Sequence, residues 1–157
     1  MKLLIWLAVS FWAMMPYVVW AQDPNPMAQI QASYIEGNVP VAKDFEAFLS
    51  RDLRTYFKAR LKKPVEVKYE PLRNGATQSG VSYPKYYLWV TVFVNKKMMT
   101  QGAVRVAAVD KKRFDITDFL SVSELRKSPE AIDSTFPIPV GVKIRERLQR
   151  SGTTKQK

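Results

Sequence analysis

The carboxylates Asp110, Asp115 and Asp118 are close enough in sequence to act in pairs. Asp115 with Asp118, or Asp110 with Asp115, would suit acid–base chemistry or a hard cation if the oxygens converged on one point. No Asp-x-Asp-x-Asp-Gly loop is present, and turn or capping duty is the structural alternative for each acid. The chain has no His and no Cys. The missing His removes the commonest general base and metal ligand, and with it any Ser-His-Asp arrangement. The missing Cys removes disulfides, thiolate metal sites, cysteine nucleophiles and a lipid-modified cysteine anchor. The expectation is a non-enzymatic protein without metal or cofactor.

Anion binding is the second chemistry on offer. Lys and Arg number 25 against 14 Asp and Glu, a net charge of +11. Lys143, Arg145, Arg147 and Arg150 form the densest basic set and fall on one amphipathic stretch. Lys111, Lys112 and Arg113 form a second set at a turn, and Lys96 with Lys97 a third. The last two sets flank one strand, which at about 3.3 Å per residue holds them well apart. Such charge draws anionic surfaces or simply keeps the protein soluble. Arg105 stands alone among small apolar residues and is expected to pair across strands with an acid such as Glu66 or Glu70.

The third chemistry is a pocket. Tyr83, Tyr86, Tyr87, Trp89 and Phe93 would line a concavity for an apolar ligand if the fold stayed open at one end. The structural alternative is that they pack as core.

These residues must be held by the elements around them. Residues 86–94, Tyr-Tyr-Leu-Trp-Val-Thr-Val-Phe-Val, are uncharged and rich in β-branched and aromatic types. Both alternating faces are apolar, as in a central strand covered on two sides. Upstream, Phe45, Phe48, Leu49, Leu53, Tyr56, Phe57 and Leu61 recur at helical spacing, which predicts a long helix over 41–62. Pro64 stops it. Val65, Val67 and Tyr69 then alternate with charged residues as a half-buried strand. Residues 73–80 make a polar loop without a phosphate-loop pattern. Turns at 95–97 and 110–113 bracket a strand over 98–109, in which Gly102 suggests a bulge. Phe114, Ile116 and Phe119 supply a short strand or irregular apolar segment. Ser121-Val122-Ser123-Glu124 is a capping box, and Val140, Ile144 and Leu148 mark a last helix.

The order predicts an α+β domain in which a curved antiparallel sheet of three or four strands cradles one long N-terminal helix, with short helices C-terminal to it. This order resembles cystatin-like rolls and related cone-shaped folds, a likeness of architecture alone. The cystatin inhibitory hairpin Gln-x-Val-x-Gly is matched by neither Gln78–Ser82 nor Gln101–Arg105, and no Pro-Trp pair occurs.

Residues 1–21 read as a secretory signal, with Lys2 as n-region, an apolar stretch over 3–20, and Val19-Trp20-Ala21 as cleavage site. An uncleaved N-terminal anchor is the alternative. Either way the domain is expected outside the cytoplasm, in the periplasm or the medium. The expected organisation is a flexible leader over 22–37, one domain over 38–150 and a disordered tail over 151–157. The functional expectation is an exported binding or assembly domain acting through its sheet surface or basic C-terminal helix. Its partner would be a protein or an anionic envelope surface. A small-molecule carrier and a carboxylate-based hydrolase or isomerase are the alternatives. Export disfavours nucleic acid, and an open sheet edge would allow pairing with a second copy.

Overall fold

The computed structural model describes residues 25–153; the signal expected over 1–21 lies outside them. In chain order the elements are α1 (Pro26–Asn38), α2 (Ala42–Leu61), β1 (Glu66–Pro71), β2 (Lys85–Val94), β3 (Lys97–Val109), β4 (Arg113–Ser121), α3 (Val122–Lys127), α4 (Glu130–Thr135) and α5 (Ile138–Thr153). The fold is α+β, with an open antiparallel sheet in the order β1-β2-β3-β4.

The helix expected over 41–62 is α2, the second helix rather than the first. Its stripe of Leu49, Leu53 and Phe57 is fully buried. Each such side chain contributes about 1.5–3 kcal/mol on burial. The stripe packs on the sheet face formed by Leu88, Val90, Val92, Val104, Val106, Ala108 and Phe114. Phe45 meets Tyr86 and Phe114 edge-on, with ring centroids 5.1 and 5.0 Å away.

The opposite sheet face carries Tyr87, Trp89 and Ala103, which pack against Leu125, Ile132, Phe136, Val140 and Ile144 from the C-terminal helices. The two apolar faces of β2 therefore serve two separate cores, and the sheet lies between α2 on one side and the C-terminal helices on the other.

Four local features depart from expectation. Residues 26–37 of the expected flexible leader, together with Asn38, form α1: Asn25 caps it by accepting from the Met27 N–H, and Pro26 stands in its first turn, where a missing N–H costs nothing. α5 starts at Ile138, two residues before the stripe that marks it in the sequence, and Pro139 likewise stands in its first turn. It also runs on through Thr153, so the first residues of the expected tail are helical; residues 154–157 lie outside the described chain. Gly102 is not at a bulge. Register shifts fall at Val92/Phe93 and at Arg105/Val106. Gly102 instead permits close approach: a Cβ there would lie 2.1 Å from the Leu120 carbonyl oxygen.

Both hairpins turn through positive φ, at Asn95 and Lys96 and at Asp110 and Lys111, which matches the twist of the flanking strands. On the β1 edge Glu66, Lys68 and Glu70 alternate and Pro71 ends the strand, features that oppose pairing with another chain.

Candidate anion-binding face

α2 positions the main cations. At 3.6 residues per turn, Arg51, Thr55, Lys58 and Lys62 point diametrically away from the buried Leu49, Leu53 and Phe57. Arg54 flanks this line, and Lys63 follows the helix end. Together with Thr55, Ala59, Pro64 and Val65 they line two shallow grooves that share Thr55, Lys58 and Pro64. Among the described residues, Arg54, Lys58, Lys62 and Lys63 form no ion pair.

The β3–β4 hairpin extends this line at the Arg51 end. The Arg51 guanidinium lies over the Phe48 ring and donates to the Lys112 carbonyl at 2.7 Å. It also bonds the Asp52 carboxylate, which raises its already high pKa and keeps it cationic. Asp52 in turn accepts from the Phe114 N–H at 2.7 Å. From the other side, Asn38 at the end of α1 accepts from the Lys111 N–H at 2.8 Å through its carbonyl and from the Asp110 N–H through its side chain. The hairpin backbone is thereby fixed while the side chains of Lys111, Lys112 and Arg113 stay exposed. Arg113 pairs with Asp115 at 3.1 Å.

Lysine also occupies unusual backbone positions. Lys62 closes α2 at φ 53, ψ 32, the left-handed conformation that glycine usually supplies at a helix end. Lys111 sits at φ 58 in its hairpin, again where Gly or Asn is favoured. Each costs about 1–2 kcal/mol relative to glycine. The two lysines stand at opposite ends of the basic line.

The other expected site residues are placed differently. Arg145 and Arg147, expected on a free basic helix, are committed within the fold. Arg145 forks onto Asp133 with both contacts at 2.7 Å. Arg147 pairs with Glu70 of β1, and its guanidinium lies 5.7 Å from the Trp89 ring centroid. They clip α5 to α4 and to the sheet, while Lys143 and Arg150 remain exposed. The expected aromatic pocket does not assemble. Tyr86 faces α2, Tyr87 and Trp89 are buried at 4% exposure on the opposite side, Tyr83 is 48% exposed in a loop, and Phe93 lies under the Lys68 ammonium at 5.4 Å.

The acids also separate. Asp118 binds Arg105, with the Nε contact at 2.6 Å, and Asp115 binds Arg113. Arg105 further donates to Thr117 Oγ1 and to the Thr135 carbonyl at the end of α4. Its partner is thus Asp118, not Glu66 or Glu70. The cause is the strand order: β2 lies between β3 and the β1 that carries Glu66 and Glu70, whereas β4 neighbours β3 and its register puts Asp118 opposite Arg105. Among the described residues no cluster of acids could hold a metal ion.

No family model matches the chain, and no curated protein or solved structure shows significant similarity to it. The basic line along α2 was hidden in the sequence because its residues occupy the polar side of an ordinary amphipathic helix. Its second half, the 111–113 turn, joins it only through tertiary contacts.

Proposed function

We propose that this chain is an exported, non-catalytic binding domain that engages an anionic partner through the solvent face of α2 and the β3–β4 hairpin. The observation that carries this reading is the file of cations Arg51, Arg54, Lys58, Lys62 and Lys63, in which Asp52 is the one acid and is already taken up by Arg51 and the Phe114 N–H. Unpaired cations on a rigid helix attract anions without any reorganisation of the protein. The C-terminal helix, in contrast, spends Arg145 and Arg147 on its own attachment. We read the helix-on-meander arrangement as a cystatin-like roll or a related cone, whose second sheet face has been covered by α3 to α5.

Charge reversal tests the assignment. Arg54→Glu with Lys58→Glu and Lys62→Glu should abolish retention on phosphatidylglycerol vesicles and on phosphate polymers at physiological salt. Lys143→Glu with Arg150→Glu should leave retention nearly intact. The reading fails if the α5 variant loses more binding than the α2 variant.

A further inference from the structure

Resting on that reading, we infer that the preferred partner is a linear phosphate-bearing polymer laid along α2, rather than a membrane surface. Arg54, Lys58 and Lys62 follow one another at four-residue steps, which places successive cations about 6 Å apart along the helix axis. The face from Arg51 to Lys62 is about 17 Å long at 1.5 Å per residue, and the Lys111 and Lys112 side chains continue it. A chain carrying one anionic group per short repeat can meet these cations in sequence. Its floor would be the small residues Thr55 and Ala59 beside Pro64, which leave room for a polymer backbone.

A bilayer is a poorer match. Helices that lie in a membrane interface immerse an apolar face, whereas the apolar face of α2 is the protein core. The large exposed apolar residues, among them Met98, Met99, Val81 and Ile138, all lie outside the 51–63 and 111–113 segments. Single-stranded nucleic acid is disfavoured as well, because no exposed aromatic ring stands on this face for bases to stack upon.

Three lysines hold positive φ, Lys62, Lys96 and Lys111, and two of them belong to this face. Lys62 and Lys111 hold left-handed conformations in which glycine would be more stable. Their side chains sit at the two ends of the file, where a polymer would enter and leave.

The test measures binding of the purified protein to pyrophosphate, to polyphosphates of about ten and about fifty units, and to vesicles of phosphatidylglycerol with phosphatidylcholine, all at one ionic strength. Affinity per molecule should rise at least tenfold from pyrophosphate to the ten-unit chain and then level off once the face is spanned. Lys62→Gly and Lys111→Gly should each weaken polymer binding several-fold while raising the melting temperature, so loss of fold cannot explain the result. Vesicle binding that exceeds polymer binding and depends on α2 would overturn the polymer while leaving the anion-binding face in place. Equal affinity for pyrophosphate and polymer would also overturn it. Failure to bind any of these anions would overturn both.

Discussion

The Asp52 carboxylate on α2 accepts a 2.7 Å hydrogen bond from the backbone N–H of Phe114 on β4. The contact spans 62 residues of sequence and joins the helix to the start of the strand after the β3–β4 hairpin. Arg51, its neighbour, holds the Lys112 carbonyl of the same hairpin. These two side chains bring two basic segments onto one surface.

Asp52→Ala should therefore do two things. It leaves the Phe114 N–H without its acceptor and should cost about 1–3 kcal/mol in urea denaturation. It should also weaken polyanion binding although it removes a negative charge, because the hairpin is no longer held beside Arg51. Tighter binding by this variant would contradict the tethering role.

Arg105 and Asp118 are each about a quarter exposed, with side-chain accessibilities of 26% and 28%. Arg105 also holds the Thr135 carbonyl, so it links β3, β4 and α4. Arg105→Met should destabilise the fold by about 1.5–3 kcal/mol, the range for hydrogen bonds to charged groups. Arg105→Lys should recover less than half, since an ammonium cannot reproduce the guanidinium fork. Full rescue by Lys would reduce the contact to simple charge.

Gly102→Ala places a methyl 2.1 Å from the Leu120 carbonyl oxygen and within 2.9 Å of its carbonyl carbon. Backbone cannot give way as a flexible side chain would. Thermal denaturation should show a loss of about 1–3 kcal/mol, comparable to overpacking a core. A neutral outcome would show that β3 and β4 can separate at Gly102 without cost.

Glu124 receives bonds from the Ser121 hydroxyl and N–H, which hold its carboxyl below the usual range. A carboxyl depressed on folding stabilises the protein above its unfolded-state pKa, and that stability is lost as pH falls through the folded-state value. The capping box at the start of α3 should therefore weaken in acid. Glu124→Gln should be less stable than the parent at neutral pH, with a gap that closes below about pH 4. A gap that is constant with pH would remove the charge from the cap.

How legible this was in the sequence varied by element. α2 was readable from its long apolar period of 3.6, and β2 from an unbroken uncharged run rich in β-branched and aromatic residues. Both hairpin turns and the capping box were readable from local residue types. α1 was not: it buries no residue, so it has no apolar stripe, and its prolines suggested a leader. The partner of Arg105 was misread because β2 separates β3 from the β1 that carries Glu66 and Glu70, and alternation within a strand does not reveal which strands are neighbours. Arg145 and Arg147 looked free because Asp133 and Glu70 are distant in sequence or on another element. The α2 face was overlooked for the same reason in reverse: its isolated cations become a line only when the helix is seen in place.

The most direct measurement is the salt dependence of polyphosphate binding by the parent protein and by Lys58→Gln with Lys62→Gln. Contact with four or five cations predicts a slope of log K against log salt of about −3, by analogy with single-stranded polyanions. The double variant should be shallower by roughly 1.4, about 0.7 for each cation removed. An unchanged slope would place the bound polymer elsewhere on the protein, and a slope near zero would remove charge on α2 as the basis of binding.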